Sequence, residues 1–224
     1  MKIHKYIIVV LFGLSFINAF SQLPEGFIYV KDIIPDLDVE LRYNGSNNFV
    51  GKPIEGYQSN KLILTTETAK ALKLVHGALQ QQNLYLKVYD GYRPQQAVNH
   101  FVKWARKLND TVKKQIFYPE IQKRYLFKEG YIASKSGHSR GSTLDLTIIN
   151  GNTGEPLDMG SPYDFFGEKS WVNYENITEK QKANRQLLQA VMLKYGFRNY
   201  PKEWWHFTLR DEPFPNTYFD FPIK

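Results

Sequence analysis

One carboxylate stands where a folded chain can least tolerate it. Asp145 falls inside the run Thr143-Leu144-Asp145-Leu146-Thr147-Ile148-Ile149. Those β-branched and apolar residues read as a strand. A lone carboxylate is expensive to bury there unless a metal ion or hydrogen-bond donors compensate it. The fold must therefore either bring partners to Asp145 or leave it in a surface turn, capping a backbone amide. From this run alone the two readings stand level.

The rest of the pattern says what surrounds that strand. Three helices are predicted. The first spans about Glu67 to Gln81, with Thr65 or Thr66 as N-cap and an apolar stripe of Ala69, Leu72, Val75 and Leu79. The second opens at Pro94 and buries Ala97, Phe101, Ala105 and Leu108. The third runs from about Thr178 to Tyr195, turns Ala183, Leu187, Leu188 and Val191 inward, and stops at Gly196. Strand-like runs occur at Leu84–Tyr89, Tyr131–Ala133, Thr143–Ile149 and Phe207–Leu209. Helices and strands do not alternate as a doubly wound sheet requires. The expectation is α+β: a single domain with a small, mostly antiparallel sheet and helices packed against it. The stretch from Pro213 to Pro222 has no period and reads as ordered coil over the body.

The first 21 residues read as an address rather than as structure. Lys2 and Lys5 precede an apolar run from Ile7 to Ile17, and Ala19-Phe20-Ser21 offers small residues for cleavage. The run covers about 11 residues, against the roughly 20 that a membrane-spanning helix needs. The expectation is a cleavable signal peptide over residues 1–21 and one domain over 22–224, exported to the periplasm or the exterior; the alternative is an uncleaved anchor. Losing Lys2 and Lys5 takes the formal charge from +7 to +5. The basic residues are scattered, so nucleic-acid binding is not expected, nor is membrane insertion after cleavage. The chain has no cysteine. That excludes disulfides, a lipoprotein cleavage site, thiolate-bound zinc and thiol catalysis.

Four histidines remain beyond the leader: His76, His100, His138 and His206. His138 and Asp145 sit seven residues apart across the bend Ser136-Gly137-His138-Ser139-Arg140-Gly141, which can fold both side chains onto one point. Imidazole nitrogen and carboxylate oxygen are both good zinc donors. Glu203-Trp204-Trp205-His206 pairs an acid with a further imidazole. Residues three apart on a flat strand face opposite ways, so a shared site needs a turn or bulge, which Pro201 favours. An acid near a His ligand suits proton removal from metal-activated water; the plainer reading is an aromatic cluster around a satisfied His. In Asp90-Gly91-Tyr92-Arg93-Pro94, Arg93 is held at a rigid strand-to-helix junction, suited to an oxyanion or to an ion pair with Asp90. His76 and His100 sit at the margins of helical apolar stripes and read as packed or half-exposed residues.

Taken in order, these segments resemble the VanX-type D-alanyl-D-alanine dipeptidases, zinc peptidases related to the D,D-carboxypeptidases of cell-wall metabolism. The likeness covers nearly the whole chain after the leader. It includes Asp90-Gly-Tyr-Arg-Pro, Ala133-Ser-Lys-Ser-Gly-His-Ser-Arg-Gly-Ser, and the stretch from Glu203-Trp-Trp-His through Leu209-Arg-Asp-Glu-Pro to Tyr218-Phe-Asp-Phe-Pro. The resemblance implies His138, Asp145 and His206 as ligands of one zinc ion, Glu203 as general base and Arg93 as the group that stabilises the transition state. It implies Ser136 as a substrate-binding residue and Asp164 as acceptor of the substrate ammonium, with Tyr43 and Tyr57 near the pocket. Thr143 departs from the broader signature, which has Ala there, but replaces no ligand. The leader also departs, because familiar members involved in glycopeptide resistance work in the cytoplasm.

The expected reaction is hydrolysis of D-alanyl-D-alanine, a small-molecule substrate, to two D-alanines. The rivals are a zinc D,D- or L,D-carboxypeptidase trimming longer wall peptides and a non-catalytic wall-binding domain. Neither oligomeric state nor physiological role can be read from the residues.

Overall fold

A computed structural model describes residues 23–224; the signal peptide expected over residues 1–21 lies outside them. Strands β1 (Phe27–Tyr29) and β2 (Asp38–Val39) come first, and β3 (Ile63–Thr65) runs directly into helix α1 (Thr66–Gln80). Strand β4 (Leu84–Asp90) feeds helix α2 (Gln95–Arg106), which the single turn α3 (Lys114–Phe117) follows. After an irregular stretch come strand β5 (Thr143–Asn150), helix α4 (Glu179–Lys194) and the hairpin of β6 (Phe197–Tyr200) and β7 (Glu203–Leu209). β1 and β3 form an antiparallel ribbon. The main sheet has the order β2-β4-β5-β7-β6. In it β2 and β4 run parallel, and the other neighbours run antiparallel. This is the expected α+β domain with a mostly antiparallel sheet.

β5 is the central strand, and the pleat gives it two buried faces. Leu144, Leu146 and Ile148 join the main core, together with Ala69, Leu72, Val75 and Leu79 of α1 and Leu188 and Met192 of α4. Thr143, Asp145 and Thr147 lie on the alternate face and are buried too. A second apolar cluster, built on Ala97, Phe101, Trp104 and Ala105 of α2 with Tyr43, Phe49 and Phe166, stands across from that face. The coil at the end closes this cluster: Phe214 and Phe219 pack on Phe27, and Phe221 stacks on Tyr92 at 4.1 Å.

Several expectations need correction. Tyr131–Ala133 is a bend, not a strand. The last strand starts at Glu203 rather than Phe207. α2 ends at Arg106, where Lys107 leaves helical geometry; Leu108 therefore falls outside the stripe and is 55 % exposed. On α4, Leu187, Leu188 and Val191 face the core as expected, but Ala183 is exposed, and Arg185 and Met192 are buried beside Leu188. Arg185 takes an inward position because three backbone carbonyls receive its guanidinium: Met159 at 2.6 Å, Trp171 at 2.7 Å and Lys169 at 2.8 Å. A buried cation is tolerated when its donors are so satisfied.

The layering makes β5 the element least able to lose volume. Leu146→Ala should lower the unfolding free energy by about 3 kcal/mol, read from the urea midpoint with an unchanged slope. A loss below about 1 kcal/mol would show that the main core does not close on this residue.

Candidate active site

Asp145 does have neighbours, and the two strands that flank β5 supply the first of them. Asp90 of β4 stands opposite Asp145, and Asp145 stands opposite His206 of β7, so the three form a row across the sheet on its cavity-facing side. Two irregularities make the row possible. The register of β4 against β5 slips between Val88 and Asp90, and that of β6 against β7 slips between Asn199 and Tyr200. Such bulges re-aim side chains beside functional sites. The second slip lies where Glu203 and His206 need one if they are to face the same way, and the Glu203 Oε2 to His206 Nδ1 distance is 3.4 Å.

His138 arrives from outside the sheet, on a 3-10 turn over Gly137–Arg140. The Ser136 hydroxyl accepts from the His138 backbone N–H at 3.3 Å, capping that turn. Gly141 ends it at φ +80°, where any Cβ would collide with the Phe27 ring, so glycine is required on two counts. The His138 ring is fixed by its Nδ1, which donates to the Gly91 carbonyl at 2.8 Å. A carbonyl can only accept, so this contact places the proton on Nδ1 and leaves the Nε2 lone pair free. Nε2 lies 3.4 Å from Asp145 Oδ1 and 3.4 Å from His206 Nδ1, and Asp145 Oδ1 lies 3.1 Å from His206 Nδ1. One donor atom each from His138, Asp145 and His206 thus falls within 4.8 Å of the others.

This donor set fits a metal ion. Asp145 Oδ1 is buried and makes no hydrogen bond despite two ring nitrogens nearby. A buried carboxylate oxygen left this way is costly, and a cation shared by the three side chains removes the cost. Two imidazoles and a carboxylate also suit a borderline ion such as zinc.

The surrounding charges pull the site's pKa values apart. Burial would raise the Asp145 carboxyl, but His138 and His206 outweigh it and hold it far below the usual range. Burial pushes Glu203 the other way, up to about 7, against the pull of His206. Asp164 is raised well above an ordinary carboxylate by burial and then by the charge of Asp145. Carboxyls driven apart in this manner mark acid–base chemistry.

Arg93 is held from several sides. Its Nε and Nη2 donate to Asp90 Oδ2 at 2.9 and 2.8 Å, and its guanidinium sits 5.1 Å from the Tyr43 ring centroid and 5.3 Å from that of Phe101. Asp90 is fully buried and also accepts from the Tyr57 hydroxyl at 2.6 Å. Arg93 Nη2 reaches within 3.6 Å of Asp145 Oδ2.

A cavity of about 290 Å³ opens on these groups. It is lined by Arg93, Ser136, His138, Asp145, Glu203 and His206 and, on the apolar side, by Phe49, Phe101 and Phe166. Asp164 and Tyr43 line it too, the Tyr43 hydroxyl donating to Asp164 Oδ2 at 2.8 Å. Asp164 adopts φ +62°, a left-handed conformation that Asp tolerates better than most residues. Of the residues named from the sequence, Tyr57 stands apart: it does not line the cavity but sits behind Arg93, bonded to Asp90. Sequence reasoning passed over Tyr163, whose hydroxyl lies 3.1 Å from Asp145 Oδ2; the one available signal was its place next to Asp164. His76 and His100 join no such group. His76 Nδ1 accepts from Leu86 N–H, and His100 Nδ1 from Glu55 N–H.

Comparison with known proteins shows the family. Residues 24–224 match the peptidase M15 family model described as D-ala-D-ala dipeptidase. The chain is 41 % identical over 199 residues to the D-alanyl-D-alanine dipeptidase of Enterococcus faecium, a match covering 89 % of this chain and 98 % of that one. It is 40 % identical over 204 residues to the protein of the same name from Enterococcus faecalis, covering 90 % and 100 %. The D-alanyl-D-alanine dipeptidase of Streptomyces coelicolor is 38 % identical over 197 residues, covering 88 % and 98 %. The chain belongs to the D-ala-D-ala dipeptidase family of M15 peptidases.

The raised Glu203 carboxyl has a consequence for the metal-free protein. Folded Glu203 keeps its proton up to about pH 7, whereas an unfolded glutamate releases it near 4.5. Between those values the folded state binds more protons, so this group makes stability fall as pH rises. Metal-free Glu203→Gln should therefore gain on the wild type between pH 5 and 8, by on the order of 2 kcal/mol at the upper end. Urea titrations across that range check it; parallel pH profiles would contradict the environment described for Glu203.

Proposed function

We propose that this chain is an exported, zinc-dependent dipeptidase that hydrolyses free D-alanyl-D-alanine to two D-alanines. The observation that carries this reading is the convergence of His138, Asp145 and His206 beside Glu203, in a small cavity that Asp164 and Tyr43 also line. His138, Asp145 and His206 would hold the ion; bound there, zinc supplies Lewis acidity that acidifies water and polarises a peptide carbonyl. Three protein ligands suit a catalytic centre, which keeps a further position open.

The protein's own groups account for the rest. Glu203 takes the proton of the attacking water and returns it to the departing D-alanine nitrogen, a task for which a carboxyl near neutrality is matched. Arg93, immobilised by Asp90 and by two aromatic rings, presents a fixed positive charge where the oxyanion develops, so no reorganisation is needed at the moment of reaction. Asp164 receives the free ammonium, with Tyr43 steadying the carboxylate. Donors around Ser136 receive the free carboxylate. A volume of about 290 Å³ is at the small end for ligand cavities, which favours a dipeptide over a longer wall peptide. The layout of residues 1–21 supports export, and the mature chain is assigned to the periplasm or the exterior.

Two measurements on purified, zinc-loaded protein test this reading together. Glu203→Ala should reduce kcat by about 10³-fold while zinc content stays at the wild-type level; unchanged turnover would refute the assignment of the base. Blocking the substrate amine should deprive buried Asp164 of its ammonium partner, leaving only the Tyr43 hydroxyl bonded to it, so N-acetyl-D-Ala-D-Ala should be cleaved with a kcat/KM lower by roughly 10²-fold or more. Preference for the acylated peptide would instead indicate a carboxypeptidase.

A further inference from the structure

Tyr163 carries a buried hydroxyl that the proposed reaction does not use. The residue is 2 % exposed. Its ring stacks on Tyr89 with centroids 4.6 Å apart and meets the edge of Trp205 at 5.4 Å, while the Arg42 guanidinium lies 5.5 Å from its centroid. So held, the ring delivers its oxygen to one place. The hydroxyl lies 3.1 Å from Asp145 Oδ2 and 3.3 Å from the Tyr43 hydroxyl oxygen. Tyr43 in turn donates to Asp164 Oδ2 at 2.8 Å. Four side chains, Asp145, Tyr163, Tyr43 and Asp164, thus stand in a row; with Tyr163 donating to Asp145 and Tyr43 to Asp164, each hydroxyl proton is already placed, and the 3.3 Å approach of the two hydroxyls is a contact rather than a hydrogen bond.

The two oxygens of Asp145 have different neighbours. Oδ1 faces His138 and His206, whereas Oδ2 faces Tyr163 and, at 3.6 Å, Arg93. The Arg93 contact, at 3.6 Å, is too long for a hydrogen bond. Among the described residues, Tyr163 is therefore the donor within hydrogen-bond distance of Oδ2. An aspartate carboxyl turns easily about its last torsion. Fixing its outer oxygen fixes which oxygen is offered to a cation, and outer partners of this kind are commonly worth 10- to 100-fold in metal affinity.

We propose that the Tyr163 hydroxyl is a positioning group. By donating its one proton to Asp145 Oδ2 it holds Oδ1 toward the two imidazoles. The inference rests on the zinc reading given above and adds to it a residue that touches neither ion nor substrate. Because Tyr163→Phe keeps the ring, the stack on Tyr89 and the edge contact with Trp205 survive and only the hydroxyl is lost.

The experiment is a zinc dissociation constant, measured by competition with a chromophoric chelator for the wild type, Tyr163→Phe and Tyr43→Phe, with urea unfolding of each metal-free protein alongside. Tyr163→Phe should bind zinc about tenfold more weakly, while Tyr43→Phe, which loses only the Asp164 side of the row, should stay within about twofold. A purely structural role would lower the metal-free stability of Tyr163→Phe and leave its zinc affinity alone. Equal zinc affinity in Tyr163→Phe and the wild type would overturn the inference without touching the zinc reading, and so would an equal weakening in Tyr43→Phe. A wild-type chain that binds no zinc would remove that reading and the inference with it.

Discussion

The Asp145 carboxylate, buried on the central strand beside two imidazoles, is the constraint around which the rest of the structure is arranged. It lies across from Asp90 on one neighbouring strand and His206 on the other, and one of its oxygens has no hydrogen bond. Burying an uncompensated charge costs several kcal/mol, out of a net stability for a whole domain of about 5–15 kcal/mol. A fold that keeps such a group must offset it, and here the offset is built from every direction. His206 comes through the sheet register, His138 through a glycine-terminated turn, Arg93 through the strand-to-helix junction and Tyr163 through the loop that also carries Asp164.

The elements around that row serve placement as much as stability. The slip in β4 brings Asp90 level with Asp145, and the slip in β6–β7 brings Glu203 to the same side as His206. Gly91 supplies the carbonyl that fixes the His138 ring; a Cβ at that position would collide with Leu62. Tyr57 and Asp90 stand behind Arg93 and keep its guanidinium from relaxing toward solvent. The result is a group of ionisable side chains whose charges are set against each other before anything binds. Asp145 is held ionised, while burial biases Glu203 and Asp164 toward the neutral form.

Much of this was legible in the sequence, for physical reasons. Spacing across the Gly-Ser bend allows His138 and Asp145 to meet but leaves a surface turn equally open, and it is the family resemblance that implies the ligand set; an acid in an apolar run announces its need for partners. Glu203 and His206 were readable once a bulge was allowed, and the helices α1 and α4 followed from their caps and stops. What escaped the reading depended on packing between distant segments. On α4, Leu187, Leu188 and Val191 do pack on the main core and only Ala183 does not; the inward place of Arg185 depends on carbonyls of residues 159 to 171, which no local period reveals. Leu108 was counted as core because the stripe continues past the point where the backbone leaves the helix. Tyr131–Ala133 has strand-forming residues but no neighbouring strand to pair with. Tyr57 and Tyr163 are plain tyrosines in sequence, and their roles come only from which carboxylate each one meets.

The central claim is that two imidazoles and one carboxylate from distant parts of the chain share a single cation. Crystals of the zinc-loaded protein, with anomalous diffraction recorded on either side of the zinc absorption edge, measure this directly. One strong peak per chain is expected, lying between His138 Nε2, Asp145 Oδ1 and His206 Nδ1. A peak elsewhere, or none between those three atoms in protein shown to contain one zinc per chain, would contradict the account.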